Sequence, residues 1–444
     1  MKSDVFSFAL VIGYLLLKGQ HVYGFNYFCI YGNIWNKNLF KINKIGRSHF
    51  ALDILRKMLK NDPNKRISST EVVNELIAIG NKIAKIEDEF WKQYHHANNL
   101  DQSKMKFLIQ NGINVNIKDN NGSDNTLHFL FSNNKRRDKI TNEIRFFIQN
   151  GFNVNRRDNN GANALHRLCW NNSNEKLIDE IRFLTKKKID VNGEDNNGRN
   201  ALHWLCANSK SEKIIDAIKL LIQNGIDVNE KDGDGRSALH LLCRYNSNEK
   251  IIDVIDLLIQ NGIDVNEKNK YGKNALDTLC MFNESEKIVD VMQILMQNGI
   301  KVHEKNSGDC WNALHVLCSY SSNDKLSEAI QFLIQNGMDV NEKDEYGRNA
   351  LHLLCCNYSN NENIIDAIRF LIRNGIDVNG KNKDGWNALH LLCRFNSNEN
   401  LIDAMEFLVQ NGIDVNEKNK DGWNALHLLC RFHSKDKLID AIQF

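Results

Sequence analysis

The residues best suited to chemistry are histidines and cysteines three positions apart, as in His240 and Cys243. Three positions correspond to nearly one helical turn, so both side chains would lie on one helix face and could bind a metal ion. The cysteine recurs at intervals of 37 or 38 residues, at Cys169, Cys206, Cys243, Cys280, Cys318, Cys355, Cys393 and Cys430. A structural zinc ion needs four converging ligands, whereas repeated units keep equivalent pairs apart. We therefore predict no metal site, and eight buried thiols in a reducing compartment.

No other arrangement of reactive residues stands apart from this repetition. Serine, aspartate and histidine are frequent, but they recur as parts of the repeat, and there is no Gly-x-x-x-x-Gly-Lys-Ser/Thr loop for phosphate. The net charge is +2 and no long block of basic residues occurs, so neither nucleic acid nor a membrane surface is the expected partner. The sequence predicts no catalytic residue and no cofactor.

The apolar run 5–17 raises the question of targeting. It is too short to span a bilayer as a helix. Asp4 and the lack of a small-residue cleavage site argue against a signal peptide. We therefore expect a cytoplasmic protein.

A repeating unit must position the histidines and cysteines. The tripeptide Ala-Leu-His, or a close variant, ends at His128, His166, His203, His240, Asp277, His315, His352, His390 and His427. A glycine usually precedes that third residue by five positions, and Asn-Gly follows it about 21 positions later. Because glycine tolerates positive φ, these two points predict a tight turn and a helix C-cap.

The unit 234–264 shows the elements between these points. Asp234-Gly235 predicts the turn and Ala238 to Arg244 a short helix. The polar stretch Asn246 to Glu249 is expected to cap a second helix, whose apolar residues recur at helical spacing from Ile251 to Ile259. An Ile-Asp-Val-Asn step after Asn-Gly is expected to be strand-like.

This unit resembles the ankyrin repeat. The resemblance rests on Asp-Gly-Arg-Ser-Ala-Leu-His at 234–240 and Gly-Ile-Asp-Val-Asn at 225–229. It implies an all-α solenoid of helix-turn-helix units with short β-turn hairpins. The period exceeds the usual value of about 33, and we expect the extra residues in the Asn/Ser-rich loop between the helices. We assign 84–116 to a degenerate capping repeat and 117–444 to nine repeats, the last truncated within a second helix that begins at Asp436.

Residues 1–83 differ from the repeats. Ser3 to Phe8 with the apolar run after it, and Asp62 to Ser68, resemble segments of a serine/threonine protein-kinase C-lobe. Lys18 to Gly24 is similar to a short sequence segment of the unfolded-protein-response kinase/endoribonucleases. The resemblance implies a small helical fragment of such a lobe. The chain lacks the Gly-rich loop, the strand lysine, and the His-Arg-Asp and Asp-Phe-Gly motifs, so we predict that it is not an enzyme.

The family resemblance implies an interaction face formed by the turn tips and the ends of the first helices. Aromatic and arginine residues, the types that dominate binding hot spots, occupy these positions. We predict that another protein binds at Arg236, Tyr271, Trp311, Tyr346, Arg348, Trp386, Arg394, Phe395, Trp423, Arg431 and Phe432. The alternative is that these rings pack on neighbouring turns and stiffen the array.

Two other functions remain open. The chain can be the C-terminal part of an active kinase whose repeats recruit substrate, or its aromatic and basic turn residues can bind oligonucleotides. The sixth unit is irregular, because Cys310 takes the place of the turn glycine and Asp277 replaces the histidine one unit earlier. A bend and a local site are both consistent with this irregularity.

Overall fold

A computed structural model describes most of the repeat region. Scattered residues between 57 and 85 and Gly308 are also described. The continuous ranges are 140–150, 152–170, 176–208, 212–245, 249–282, 286–306, 310–320, 325–357, 364–395 and 401–432. The predicted kinase helix at 3–17, most of the predicted capping repeat and the final helix after Asp436 lie outside them.

The chain divides into two compact units, Met1–Asn159 and Asn160–Phe444. In the first, a 3₁₀ turn spans Pro63–Lys65. Just after it, Ser68 Oγ accepts a hydrogen bond from the Glu71 amide, while Glu71 Oε2 accepts one from the Ser68 amide. This reciprocal pair is a capping box, the usual start of a helix. An amphipathic α-helix, Ile140–Gln149, lies later in the same unit.

The second unit alternates short and long helices. The first helices of its repeats have seven or eight residues and span Ala164–Trp170, Ala201–Ala207, Ala238–Tyr245, Ala275–Phe282, Ala313–Tyr320, Ala350–Cys356, Ala388–Phe395 and Ala425–Phe432. The second helices have ten residues and span Leu177–Lys186, Ile214–Gln223, Ile251–Gln260, Ile288–Gln297, Leu326–Gln335, Ile364–Arg373 and Leu401–Gln410. Within these residues the unit is helical, with no strand.

Stacking of like helices forms the core. Each first helix packs against the next first helix, and each second helix against the next second helix. Apolar residues at helical spacing are therefore buried, as Ile251, Val254, Ile255 and Leu258 are in one second helix. A single repeat could not bury this surface alone, so the fold depends on the stack.

Glycines end the second helices and shape the turns, as the sequence predicted. Gly262 has a φ of 83° and Gly235 a φ of 75°. A Cβ atom on Gly235 would lie 3.0 Å from the Lys270 amide nitrogen of the next repeat. This turn therefore needs glycine both for its conformation and for close contact between repeats.

Two local predictions were wrong. The Ile-Asp-Val-Asn step is a turn, because Asp227 Oδ1 accepts a hydrogen bond from the Asn229 amide and bends the chain back. The second helix that begins at Ile251 has no side-chain cap; Lys250 occupies the N-cap position. Lys250 Nζ instead donates to the Glu212 carbonyl oxygen of the preceding repeat.

Candidate protein-binding surface

The recurrent histidines join successive repeats. In the neutral ring the Nε2–H group donates to a backbone carbonyl of the following turn. His203 reaches the Arg236 oxygen at 3.1 Å and His240 the Lys273 oxygen at 3.0 Å. Burial lowers the pKa of His203 and His352 to about 4. These rings are therefore neutral structural donors at physiological pH.

The recurrent cysteines are small core residues. Seven of the eight equivalent cysteines are buried, and none of the eight forms a disulfide. Burial raises the pKa of Cys243 and Cys393 to about 12, so the nucleophilic thiolate is disfavoured. Cys430 was predicted to be buried but is exposed, since among the described residues only the preceding first helix packs against the helix that carries it. Among the described residues no three His, Cys, Asp or Glu side chains converge as a metal site.

Asparagines form a second link between repeats, which the sequence analysis missed. Asn229 Nδ2 donates to the Gly262 carbonyl oxygen at 2.9 Å, and its Oδ1 accepts from the Asp264 amide at 2.8 Å. The same two-bond clamp is made by Asn192, Asn266, Asn341 and Asn379. These asparagines end the Ile-Asp-Val-Asn segments and recur every 37 or 38 residues, and this recurrence could have revealed their linking role.

Two of the arginines predicted to bind a partner are fixed by their own turns. Arg236 contacts Asp232 at 2.8 Å and Asp234 at 2.6 Å. Arg348 Nε lies 2.8 Å from the buried Asp344 carboxylate. Both guanidinium groups are mostly buried and already paired. Their geometry therefore points to a structural role within the turns.

Trp311 departs from the expected exposed position, since only 6% of it is accessible. Its indole N–H donates to Asp344 Oδ2 of the next repeat at 3.0 Å. The turn before it has one extra residue: Asn306 pairs with Trp311, five positions on, whereas Asn269 pairs with Lys273, four positions on. The longer turn coincides with a ring that joins two repeats and is not free for a partner.

The other predicted residues near the C-terminal end come together. We call Trp386, Arg394, Phe395, Trp423, Arg431 and Phe432 the arginine cluster. The Arg394 guanidinium carbon lies 5.1–5.2 Å from the ring centroids of Trp386, Phe395 and Phe432. The Arg431 carbon lies 4.8 Å from the Trp423 ring. Both tryptophans are half-buried, while the two phenylalanines and the two arginines are exposed.

Exposed aromatic residues are confined to one surface of the second unit. Six lie at the ends of first helices and two at turn tips. They are Trp170, Tyr245, Phe282, Tyr320, Phe395, Phe432, Tyr271 and Tyr346, and together we call them the aromatic wall. Some members are linked across repeats: the Arg244 guanidinium carbon lies 4.0 Å from the Phe282 centroid, and Lys273 Nζ lies 5.7 Å from the Tyr320 centroid. No exposed aromatic residue is found on the described second helices.

A cavity of about 530 Å³ lies at the N-terminal end of the aromatic wall. Trp170 and Trp204 form perpendicular walls with centroids 4.8 Å apart, and Tyr245 and Arg199 complete the lining. Trp204 Nε1 donates to Asp195 at 3.1 Å. The sequence analysis overlooked both tryptophans. Trp170 occupies the helix-end position that Arg244 occupies two repeats later, one residue before the position of Tyr245. This place at the end of a first helix was the available signal.

Charge is divided between the two sets of helices. The second helices of the second unit carry ten acidic and five basic residues, whereas its first helices carry four arginines and one aspartate. Basic residues also follow the turn glycines at Arg199, Arg236, Lys273 and Arg348, and the equivalent turns carry carboxylates, Asp384 and Asp421 among them. The excess of arginine on the first helices therefore makes the side of the aromatic wall the more basic side of this unit, and the second helices form the acidic side.

The stacked helix pairs, the turn glycines and the histidine links agree with a comparison to known families. A family model described as ankyrin repeats (3 copies) matches residues 135–232, 209–306, 288–382 and 359–441. The chain therefore belongs to the ankyrin-repeat proteins. Its repeat array is a protein–protein interaction module. The kinase resemblance of residues 1–83 lies outside the matched region.

Two solved structures are similar to about half of the chain. The ankyrin repeat domain of Bcl-3, a member of the IkappaB protein family, is 21% identical over 56% of this chain and 100% of that domain, with a TM-score of 0.41. The human ASB11 ankyrin repeat domain is 22% identical over 54% of this chain and 96% of that domain, with a TM-score of 0.44. No curated protein sequence matches the chain. In the described part of the chain, no helix has the length and apolar character to cross a membrane.

Proposed function

We propose that the chain is a non-catalytic cytoplasmic scaffold that binds another protein along the aromatic wall. The observation that carries the proposal is the confinement of all eight exposed aromatic residues of the described region to this one surface. Exposed apolar residues gathered on one face of a protein mark an interaction surface more often than singly scattered ones do. Aromatic rings beside arginines are also the residues that dominate binding energy when they are truncated.

The predicted site residues on this surface fall into two groups that differ in their contacts. The proposal keeps Tyr271, Tyr346 and the arginine cluster as partner-binding residues. It assigns Arg236, Arg348 and Trp311 to holding the turns, because their polar groups are already paired with buried carboxylates. The cavity beside Trp170 adds a place for an apolar side chain of the partner, since its volume lies within the usual range for binding pockets.

A selection from a displayed random-peptide library tests the proposal. Selected peptides should lose at least about tenfold in affinity when Phe395→Ser and Phe432→Ser are combined, because truncated hot-spot rings cost more than about 1.4 kcal/mol. The matched control combines Phe370→Ser with Phe407→Ser, two rings at the same spacing on second helices. Binding that depends on the control pair, or on neither pair, would contradict the aromatic wall as the binding surface.

A second proposal is that residues 1–83 belong to a serine/threonine kinase whose repeats recruit substrate. Its support is the sequence resemblance together with the turn at Pro63–Lys65 and the capping box at Ser68 and Glu71. Sequencing of the transcript upstream of Met1 separates the two. A reading frame with His-Arg-Asp and Asp-Phe-Gly motifs would support the kinase, and an in-frame stop codon directly upstream would contradict it.

A further inference from the structure

Among the residues that the structure describes, three arginines at the ends of first helices contact only aromatic rings. The Arg244 guanidinium carbon lies 4.0 Å from the Phe282 centroid. Arg394 and Arg431 sit over rings of the arginine cluster. None of the three has a carboxylate or a carbonyl acceptor among the described residues. Their rings restrict the side-chain conformations, while the N–H donors stay available.

This arrangement differs from that of the turn arginines. Arg236 and Arg348 have their charge compensated by Asp232 and Asp344. Arg244, Arg394 and Arg431, the open arginines, carry uncompensated charge on the basic side of the unit. A preformed guanidinium group without a partner favours a carboxylate, which it can bind through two parallel hydrogen bonds.

The distance between successive repeats determines how far apart the carboxylates of such a ligand must be. Arg394 and Arg431 occupy equivalent positions on two first helices that pack directly together. Packed helices have axes about 8–10 Å apart. An extended polyproline II segment has about three residues per turn and a rise of about 3.1 Å, so residues i and i+3 project to the same side about 9 Å apart. Carboxylates at every third residue would therefore match successive repeats.

We propose that the arginine cluster binds an extended acidic segment of a partner protein, with carboxylates at i and i+3 on Arg394 and Arg431 and an apolar side chain against Phe395 and Phe432. This inference rests on the proposed function and names the chemistry of the partner. The rings then have two roles: they orient the guanidinium groups, and they contact the apolar residue between the two carboxylates.

A nucleic acid fits this surface less well. Two exposed carboxylates, Asp384 and Asp421, lie two positions before Trp386 and Trp423 at the same turns. They would repel a continuous row of phosphates, which carries one charge per nucleotide. A peptide places its carboxylates at intervals and can present backbone N–H groups to these aspartates instead. The observations therefore favour a peptide over an oligonucleotide.

Fluorescence anisotropy with synthetic peptides on the full chain tests the inference. The probe is a Pro-rich peptide of about twelve residues with Glu at every third position and one Phe between two of them. Two matched peptides replace every Glu by Gln, or keep the composition with the Glu residues adjacent. The first probe should bind at least about tenfold more tightly than the Gln peptide, and binding should weaken from ~0.05 M to ~0.5 M salt.

Paired charge variants then locate the binding site. Arg394→Gln with Arg431→Gln should remove at least about tenfold in affinity. Arg182→Gln with Arg373→Gln, two exposed arginines on second helices, should change it less than about twofold. Equal binding of the Glu and Gln peptides by the unaltered chain would overturn the inference without any variant. Tighter binding of an oligoadenylate of matched length would overturn it in favour of nucleic acid.

The library selection keeps this result separate from the proposed function. If selected peptides depend on Phe395 and Phe432 but carry no excess of Asp or Glu, the scaffold function stands and the acidic partner is wrong. If no selected peptide depends on these rings, the surface itself is wrong and both proposals fail.

Discussion

Two hydrogen-bond acceptors, a histidine nitrogen and an asparagine oxygen, face each other at the start of the helix that begins at Ala350. His352 is neutral and its Nε2–H donates to the Trp386 carbonyl, so its Nδ1 carries a lone pair. That nitrogen accepts a hydrogen bond from the backbone N–H of Asn349. It also lies 2.5 Å from the side-chain oxygen Asn349 Oδ1, which is itself an acceptor. Asn349 Nδ2 is buried without a partner. Ser237 avoids this conflict, because its hydroxyl can donate to His240 Nδ1 at 2.9 Å.

Asn349→Ser should therefore stabilise the array. The serine hydroxyl would donate to His352 Nδ1 and still accept a hydrogen bond from a backbone N–H. The substitution would also remove the buried side-chain NH2 group of Asn349, which has no partner. We expect the free energy of unfolding in urea to rise by about 1 kcal/mol. Asn349→Ala, which removes the cap altogether, should lower it by about 1 kcal/mol. A serine variant as unstable as the alanine variant would rule out the acceptor conflict.

The buried histidines should also make stability fall in mild acid. Burial lowers the pKa of His203 and His352 to about 4, and lowers it for His240, His315 and His390. The unfolded chain binds these protons near pH 6.5 and the folded chain does not. Their contribution is thus fully present above about pH 6.5 and is lost as the pH falls towards about 4.

Urea midpoints across this range measure the effect, which should exceed about 3 kcal/mol for the array. Asp277 acts in the opposite direction, because burial raises its pKa to about 7, but it is one group against five. Asp277→Asn therefore serves as a control in which the acid loss remains. A midpoint that stays constant from about pH 6.5 to about pH 4.5 would show that the rings are not buried as neutral donors.

At the scale of the helices and turns, three linking devices are replaced close together. Asp277 stands in place of a histidine and makes no hydrogen bond to the described residues of the next turn; it pairs instead with Asn274 of its own cap. His303 stands in place of the clamp asparagine. Cys310 stands in place of the turn glycine with a φ of 56°. The first two replacements concern links to the repeat of helix Ala313–Tyr320, whereas the indole of Trp311 links that repeat to the following one through Asp344. The replacements therefore affect two successive junctions.

Cys310→Gly should relieve backbone strain in this turn. A residue with a side chain costs about 1–2 kcal/mol in the left-handed region, and glycine removes that cost. We expect the urea midpoint to rise by an amount equivalent to about 1 kcal/mol. The reciprocal control is Gly347→Ala, whose Cβ would lie 2.9 Å from the Lys383 amide nitrogen and should destabilise the chain. An unchanged or lower midpoint for Cys310→Gly would show that the turn is not strained.

The sequence predicted these elements well where one residue type has one physical role. The turn and C-cap glycines, and the two helices of each unit, were predicted from positive-φ requirements and helical spacing. Features decided by contacts between repeats were not. The burial of Trp311 depends on Asp344, 33 residues away. The pairing of Arg236 and Arg348 with turn carboxylates, and the cavity between Trp170 and Trp204, depend equally on the folded turns.

At the scale of the second unit, the division of charge and aromatic residues defines two unlike surfaces. One side carries every exposed ring of the described residues and the open arginines, and the other carries an excess of carboxylates. Stability alone does not require this division, because the core lies between the helix layers and not on the wall. The central claim is that the aromatic wall, and not the second-helix side, contacts other proteins.

Site-specific photo-cross-linking measures that claim most directly. A benzophenone amino acid placed at Phe395 lies on the aromatic wall, and one placed at Phe370 lies on a second helix. In a host-cell extract, position 395 should give discrete protein adducts that disappear when Arg394→Gln and Arg431→Gln are added, while position 370 gives few. Equal adducts at both positions would contradict the central claim. Adducts at 395 that persist in the double variant would contradict the acidic partner.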